Sequence, residues 1–226
     1  MSDTVSEDQS SRGINPIAFI RENMTLLPVP AFPSIKLYAA HAGSGLRRLL
    51  EEDEDGDPSP PYWAYVWGGG AALVSHIQSN PQIVAGKRVF DLGAGSGIVG
   101  IAAAQNGAKE VVAAEIDPMG LAALQLNASA NGVILRVMGG DVTLGPAPDV
   151  DLILVGDLFY APKLAEQVSA FLSRCILAGV EVLVGDPFRA HLPVGRLQLI
   201  AEYDVADFGD ARGSSGTRSG VFRFLA

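Results

Sequence analysis

Short apolar runs alternate with longer segments of helical periodicity along the middle of the chain. The runs are rich in Val, Ile, Leu and Ala, a composition typical of buried strands. Five predicted strands result: 87–92, 110–115, 134–138, 150–156 and 180–185. Three predicted helices lie among them: 97–106, 117–131 and 162–177. This alternation predicts a mostly parallel sheet with helices on both faces.

The two ends of the chain add further elements. Residues 196–205 and 216–225 have strand patterns with no convincing helix between them, which predicts an antiparallel hairpin at one sheet edge. The complete prediction is therefore an α/β fold with a seven-stranded, mostly parallel sheet. Upstream, Asn15 and Pro16 predict the start of a helix that runs to about Met24. Pro28, Pro30 and Pro33 follow this helix and end it. A short strand is predicted at 35–40.

Length and composition favour one domain. The chain has 226 residues, of which 48% are hydrophobic, enough for a substantial core. Residues 1–13 are polar and predicted to be a disordered tail. Residues 14–226 then form a single domain, in which 14–80 is a helical and aromatic extension. The acidic run 51–57 is expected to be a solvated loop.

Charge and residue usage exclude several kinds of partner. The formal net charge of −9 argues against nucleic acid, because phosphate binding needs a basic surface. No apolar run approaches the roughly 20 residues of a membrane span. The polar N-terminus differs from a secretory leader, so we expect a cytoplasmic protein, most simply a bacterial one. The three histidines lie in no metal-ligand spacing, so no metal is predicted.

A glycine-rich segment follows the first predicted strand. Residues 89–100 read as a strand, a tight turn and the start of an Ala-rich helix. Gly93, Gly95 and Gly97 have no Cβ, so the backbone can adopt positive φ and a ligand can lie against it. The helix after them offers free N–H groups. The segment predicts a nucleotide-like cofactor at the carboxyl end of the strand.

One carboxylate decides which cofactor. The pattern Gly95-x-Gly97-x-x-Gly100 on its own would also suit a dinucleotide. Asp91 would repel a pyrophosphate, whereas it suits a ligand that carries an ammonium and a sulfonium. Asp91 with the alternating glycines closely resembles motif I of the class I, seven-strand S-adenosylmethionine (SAM) methyltransferases. That resemblance implies a Rossmann-like fold with SAM as the cofactor.

Two more acids follow predicted strands. Glu115 ends the second strand, where a carboxylate can accept hydrogen bonds from ribose hydroxyls. Asp117, which could compete with it, is better placed as a helix cap before Pro118. The methyltransferase resemblance implies that Asp141 bonds the adenine amine and that Val142 packs on the ring. A turn aspartate that binds its own backbone is the alternative for Asp141.

An aromatic segment lies ahead of the glycine loop. Both tryptophans and two of the five tyrosines fall within residues 62–67, followed by three glycines that free the backbone. Burial in the core is one interpretation. Because aromatic faces attract cations, we favour Trp67 as a lid over the cofactor, with Trp63 or Tyr65 nearby. Trp63 is also a candidate for substrate contact.

The segment Asp157-Leu158-Phe159-Tyr160 follows the fourth strand. Together with the Trp-rich segment it resembles the methyltransferase family 16 group of protein-lysine methyltransferases. With Gly-Asp-Pro-Phe-Arg at 185–189 added, the pattern is similar to the family that methylates lysines of the electron-transfer flavoprotein β subunit. The resemblance implies that this subunit is the protein partner. The family pattern has Gly where this chain has Phe188.

The expected chemistry is methyl transfer to a neutral amine. An ordinary lysine, with a pKa near 10.4, costs about 4 kcal/mol to deprotonate near neutral pH, and an apolar pocket lowers that cost. Asp157, beside the cofactor, is expected to hold the amine, with Phe159 and Tyr160 as the channel wall. A helix cap is the alternative for Asp157. Asp186 and Arg189 are expected on the substrate side, with a structural turn as the alternative for Asp186.

Other functions remain open from sequence. The same cofactor could serve a small amine or pyridine, or another protein such as ribosomal protein L11, whose enzymes residues 97–118 resemble. The absence of their Asn-Pro-Pro signature counts against that choice. A nicotinamide-dependent oxidoreductase or an inactive nucleotide-binding module is a third possibility, and a nucleic-acid methyltransferase is disfavoured by charge.

Overall fold

The computed structural model describes residues 14–46, 61–206 and 216–225. The strands are β1 (Thr25–Val29), β2 (Phe32–Ala39), β3 (Arg88–Leu92), β4 (Glu110–Glu115), β5 (Arg136–Gly139), β6 (Leu152–Gly156), β7 (Glu181–Asp186), β8 (Leu197–Val205) and β9 (Thr217–Phe224). The helices are α1 (Pro16–Asn23), α2 (Gly68–Ser79), α3 (Ile98–Gln105), α4 (Pro118–Ala130) and α5 (Pro162–Leu177). The predicted tail 1–13 and the acidic run 51–57 lie outside the described residues.

Seven strands form the central sheet in the order β5-β4-β3-β6-β7-β9-β8. The first five are parallel, and β9 runs antiparallel between β7 and β8. The predicted seven-stranded, mostly parallel sheet and its antiparallel edge hairpin are therefore confirmed. Within the described ranges, no helix is long and apolar enough to cross a membrane.

The sheet is buried on both faces. Along β6, Leu152 and Leu154 belong to the core shared with α2 and α3, whereas Ile153 and Val155 belong to the core shared with α5. All four side chains are fully buried. A parallel strand covered on both faces has no solvated side, which is why its sequence is a continuous apolar run.

The N-terminal part adds a small two-stranded sheet. β1 pairs antiparallel with β2, and the register shifts after Pro28. The sequence did not predict β1 because prolines are rare inside strands; Pro28 is tolerated in a short edge strand beside that irregularity. β2 docks on α4 through the Asn127 and Asn131 side chains, whose Oδ1 atoms accept backbone N–H groups of Tyr38 and Lys36, each at 2.8 Å.

Two predicted helix caps are confirmed. The Asn15 side chain accepts the N–H of Ala18 at 3.1 Å at the start of α1. The Asp117 side chain accepts the N–H of Met119 at 2.7 Å at the start of α4. Each satisfies a backbone donor that the first helical turn leaves unpaired.

The glycines at 68–70 serve a different purpose from the one predicted. They form the first turn of α2, and none has positive φ. A Cβ on Gly69 would overlap the backbone of Gly185, and a Cβ on Gly156 would lie 3.2 Å from the backbone of Gly70. The glycines are therefore needed for close packing of α2 on the ends of β6 and β7, not for a flexible turn.

Candidate functional site

A cavity of about 600 Å³ opens at the carboxyl edge of the central sheet. Its size lies within the range usual for small-molecule sites. The sequence-predicted site residues that line it are Trp63, Trp67, Asp91, Gly93, Gly95, Glu115, Asp141, Val142, Asp157, Tyr160 and Arg189. Three others, Gly97, Phe159 and Asp186, are not part of its wall. Residues distant in sequence thus meet here because parallel strands end at one edge.

The glycine loop has the backbone conformation that the sequence predicts. Gly93, Gly95 and Gly97 have φ values of 68°, 53° and 82°. Residues that have a Cβ rarely adopt this left-handed backbone conformation, so glycine is needed at each of these three positions. Gly97 lies beneath Leu124 and starts α3, so it shapes the loop without lining the cavity.

Asp91 lies buried under this loop with 2% of its surface exposed. Its Oδ2 accepts the backbone N–H of Gly100 at 2.8 Å. Burial raises the pKa of the Asp91 carboxyl to about 7, against the opposing effect of the Gly100 hydrogen bond. A buried carboxyl with a raised pKa gains most from a cation beside it, because the cation stabilises its charged form.

Glu115 joins the end of β4 to the glycine loop. Its Oε2 accepts the N–H of Gly95 at 2.7 Å, and its Oε1 accepts the N–H groups of Ile116 and Asp117 at 2.8 and 2.9 Å. Carboxylate oxygens have further lone pairs, so the side chain can still accept from a ligand. The predicted ribose contact of Glu115 stays a prediction.

Asp141 has the local hydrogen bonds of a turn aspartate. Its Oδ1 accepts the backbone N–H and the hydroxyl of Thr143, and its Oδ2 accepts the Gln167 amide at 2.7 Å. The hydrogen bonds from Thr143 and Gln167 hold the pKa of Asp141 below its usual value. Asp141 and Val142 both line the cavity, and their adenine contacts stay predictions.

Aromatic rings form one wall of the cavity. The Tyr62 ring lies 5.7 Å from the Trp67 ring and 5.2 Å from the Tyr160 ring, centroid to centroid, and Tyr65 lies 6.2 Å from Trp67. The Trp67 indole N–H donates to the backbone oxygen of Tyr62 at 2.8 Å, which fixes the ring. Sequence reasoning missed Tyr62, although it stands in the same aromatic segment.

Trp63 lines the cavity although it is almost entirely buried. Only 3% of its surface is exposed, and its side chain packs with α1 and α4. Its Cα would lie 3.6 Å from a Cβ on Gly95, so it supports the glycine loop from beneath. The ring packs against α1 and α4, and the predicted substrate contact of Trp63 stays a prediction.

Asp157 follows β6 in a left-handed conformation with φ of 59°. Its Oδ2 accepts the N–H of Gly70 in the first turn of α2 at 2.8 Å, and its Oδ1 accepts from Arg189 Nη2 at 2.7 Å. The alternative role as the cap of the helix that begins at Pro162 does not hold, because Ala161 occupies the N-cap of α5. The carboxylate is thus held between a helix N-terminus and a guanidinium.

Two residues that were expected at the site, Phe159 in the channel wall and Asp186 on the substrate side, lie in the interior instead. Phe159 is fully buried in the core beneath α5, whereas its neighbour Tyr160 is 45% exposed and faces the cavity. Asp186 is also fully buried, and its Oδ1 accepts the backbone N–H of Arg189 at 2.6 Å. Burial raises the pKa of Asp186 to about 6. Phe159 therefore packs the core, and Asp186 is a turn residue that shapes the loop carrying Arg189.

Gln167 is a cavity residue that no sequence signal indicated. It stands on α5, away from every motif, and bonds both Asp141 and the Thr143 hydroxyl. Within the three described ranges, no group of three or more His, Cys, Asp or Glu side chains could hold a metal ion.

The cavity suits a cationic, nucleotide-like ligand. Asp91, Glu115 and Asp141 meet there, beside a glycine loop whose backbone can approach a ligand closely. The buried Asp91 carboxyl, whose pKa lies near 7, matches an ammonium group. These residues fit S-adenosylmethionine.

Comparisons with known proteins agree with a methyltransferase fold and site. The family model for ribosomal protein L11 methyltransferase (PrmA) matches residues 76–158. A protein of Pyrococcus horikoshii, described as a candidate RNA methyltransferase, shares the fold with a TM-score of 0.56 at 19% identity, over 79% of this chain and 96% of that one. Fold and site define a Rossmann-like methyltransferase that uses S-adenosylmethionine as its methyl donor.

Two relatives define the family. The electron transfer flavoprotein beta subunit lysine methyltransferase of Xenopus laevis is 34% identical over 226 residues, covering 97% of this chain and 91% of its own. The enzyme of the same name from Danio rerio is 37% identical over 184 residues, covering 78% and 71%. The chain belongs to the family of electron transfer flavoprotein β subunit lysine methyltransferases.

Proposed function

We propose that this protein transfers methyl groups from S-adenosylmethionine to lysine side chains of the electron transfer flavoprotein β subunit. One observation carries the proposal: the similarity to the Xenopus laevis enzyme extends over 97% of the chain. It therefore includes the Trp-rich segment and the loop after β7, which would form the acceptor side of the cavity. The L11 family model ends at residue 158 and covers the donor side.

The donor would be held by residues at the ends of β3, β4 and β5. Asp91 would face its ammonium, the backbone of the glycine loop its methionine part, and Glu115 its ribose. Asp141 and Val142 would flank the adenine, with Trp67 near the sulfonium, where an aromatic face attracts positive charge. These roles are supported by the common cavity that the side chains line.

The chemistry requires an uncharged acceptor. When bound, S-adenosylmethionine supplies an electrophilic methyl group: a nitrogen–carbon bond forms as the carbon–sulfur bond breaks, its electron pair stays on sulfur, and the new ammonium then releases a proton to water. The chain's own contribution is alignment and exclusion of water by an aromatic wall. Tyr62, Trp67 and Tyr160 form that wall, and Asp157 lines the same cavity.

A second candidate keeps the donor and changes the acceptor. The match to the L11 methyltransferase family model favours ribosomal protein L11, although it spans residues 76–158 alone. A small amine or pyridine is the remaining alternative from the sequence. We also propose that residues 14–226 act as one catalytic domain. The cytoplasmic, bacterial setting and the absence of nucleic-acid or membrane partners stay predictions from composition.

Intact-mass spectrometry tests the proposal. Purified flavoprotein and purified L11 would be incubated separately with this protein and S-adenosylmethionine, with the Glu115→Ala variant as a control. We expect methyl increments on the flavoprotein β subunit, located to lysines by fragmentation, and none on L11. Increments on L11 with an unmodified β subunit would overturn the proposal in favour of the second candidate.

A further inference from the structure

Arg189 lies beside the groups that would surround the acceptor amine. Its Nη2 is 2.7 Å from Asp157 Oδ1, and its guanidinium carbon is 5.7 Å from the centre of the Trp67 ring. It lines the same cavity as the glycine loop and Tyr160. The side chains of Arg189 and Asp157 are 23% and 10% exposed, so water screens their attraction far less than at an open surface.

The fold sets the position of this guanidinium. Arg189 stands on the loop between β7 and β8, three residues after the end of β7. Its backbone N–H donates to the fully buried Asp186 at 2.6 Å, and the preceding Phe188 has φ of 62°. The buried acid and the left-handed residue together direct the side chain back over the sheet edge, towards Asp157.

The charge of Asp157 has a direct consequence for the reaction. A carboxylate next to an amine stabilises the ammonium and raises its pKa by about 1–3 units. Such a shift would oppose methyl transfer, because the ammonium has no free electron pair. In the structure the negative charge is balanced twice, by the Arg189 guanidinium and by the Gly70 N–H at the N-terminus of α2.

We infer that Arg189 is a positioning residue for methyl transfer: by pairing with Asp157 it keeps the acceptor lysine uncharged and nucleophilic. Asp157 can then orient the amine without holding it as an ammonium. This inference rests on the proposed function, since it requires a lysine acceptor.

Other ionisable groups face the same part of the cavity. They are Asp91 on β3, Glu115 and Asp117 at the end of β4, Asp141 after β5, Tyr62 and Tyr65 in the aromatic segment and Tyr160 after β6. Asp186 on β7 is buried outside the wall and accepts the Arg189 backbone N–H. Burial raises the pKa of Tyr160, so its phenol stays neutral. In Arg189→Gln the pKa of Asp186 should also rise, because the Arg189 charge lowers it. The double variant described below shares the loss of Arg189, so it separates that effect from the charge of Asp157.

The test is the pH dependence of kcat with purified electron transfer flavoprotein as substrate, measured by intact mass between about pH 6 and pH 10. In Arg189→Gln, Asp157 keeps the Gly70 N–H but loses the positive charge beside it, so it should stabilise the ammonium. We expect the midpoint of the rise in kcat to move to higher pH by about 1 unit, so that the variant loses about 10-fold near neutral pH and recovers in alkali. Arg189→Lys should keep the wild-type midpoint, because it retains the charge.

Two further variants separate charge from structure. The double variant Asp157→Asn, Arg189→Gln removes both charges, so its midpoint should return towards that of the wild type even though its rate is low. Arg196→Gln is the matched control: Arg196 lies in the same β7–β8 connection but bonds Ser173 and the Leu225 backbone, away from the cavity. Its midpoint should not move.

The rates of each variant are divided by that variant's own maximum before the midpoint is read. Partial unfolding therefore lowers the rates but does not shift the midpoint. An Arg189→Gln profile that falls equally at all pH values would overturn the inference and leave Arg189 as a structural residue. A wild-type enzyme that leaves the flavoprotein unmodified would instead refute the proposed function.

Discussion

Gly69 and Gly185 pack backbone against backbone, so that a Cβ on Gly69 would overlap the carbonyl group of Gly185. The contact joins the first turn of α2 to the end of β7. Gly70, which follows Gly69 in α2, donates its N–H to Asp157. Arg189, four residues after Gly185, binds the same carboxylate. Close glycine packing therefore sets the position of both groups that hold Asp157.

Gly69→Ala should damage stability and activity together. The added methyl must push α2 away from β7, and overpacking of this kind costs about 1–3 kcal/mol. We expect a lower urea midpoint and a loss of kcat, because the Gly70 N–H moves with the helix. Gly195→Ala is the matched control, since a Cβ there meets no atom within 4 Å. Equal stability of the two variants would contradict the packing argument.

Glu115→Ala should weaken donor binding. The substitution removes the carboxylate that accepts the Gly95 N–H and is expected to bind the ribose. Hydrogen bonds to a charged acceptor contribute about 1.5–3 kcal/mol, which corresponds to about a 10- to 100-fold rise in Kd. Calorimetry with S-adenosylhomocysteine measures this Kd. Glu110→Ala, at the other end of β4, should leave Kd unchanged, because Glu110 makes an exposed ion pair with Arg136.

Asp91 should make stability fall as pH rises towards 7. Its pKa is about 7 in the folded protein against 3.8 ordinarily, so between these values the folded state holds a proton that the unfolded state releases. The stabilisation is complete below about pH 4, declines up to about pH 7 and is level above it. Asp91→Asn should remove this decline in urea unfolding across the same range. Asp186 contributes a similar decline in both proteins, so the difference between them isolates Asp91.

The same ionisation should govern donor affinity. Between about pH 5.5 and pH 7 an α-amino group stays charged, while Asp91 becomes a carboxylate that attracts it. The Kd of S-adenosylhomocysteine for the wild type should therefore fall as pH rises over this interval. An Asp91→Asn variant with the same pH dependence would show that another group binds the ammonium.

Asp157→Ala should stop methyl transfer and spare donor binding. The variant loses the group expected to orient the amine, and misplacement of a reacting group costs about 100-fold or more in kcat. It also loses the contacts to Gly70 and Arg189. Calorimetry should give a near wild-type Kd for S-adenosylhomocysteine. Full turnover by the variant would remove Asp157 from the acceptor site.

At position 188, glycine should give a more stable protein than alanine. It has φ of 62°, which costs a non-glycine residue about 1–2 kcal/mol. Phe188→Ala keeps that cost and loses the edge contact with Phe222, at 5.5 Å between ring centroids. Phe188→Gly loses the contact but also the strain, so it should unfold at a higher urea concentration than Phe188→Ala. The reverse order would mean that the left-handed conformation is not retained.

Phe188 also illustrates how far the sequence reaches. Resemblance alone indicated that this position is Gly in the related family, and the left-handed backbone supplies the reason. A side chain at such a position gives no local sign of its conformation. The strain became visible with the path of the loop after β7, which depends on the buried Asp186 and its bond to Arg189.

The expected acceptor wall shows that sequence did not distinguish a buried ring from an exposed one. Phe159 and Tyr160 are neighbours with similar rings, and their sequence predicted the same role for both. One is fully buried beneath α5 and the other is 45% exposed in the cavity. Which ring points inward depends on how α5 packs on the sheet, and no short-range pattern records that.

The sequence by itself determined the strands of the sheet, the left-handed glycine loop, the caps at Asn15 and Asp117, and the meeting of acids at one sheet edge. These features follow from preferences of residues close together in the chain and from the rule that parallel strands end on one side. Only the tertiary structure decided that Asp157 is shared by Gly70 and Arg189, 87 and 32 residues away. Such contacts arise when whole elements pack, so their geometry is absent from any single stretch of sequence.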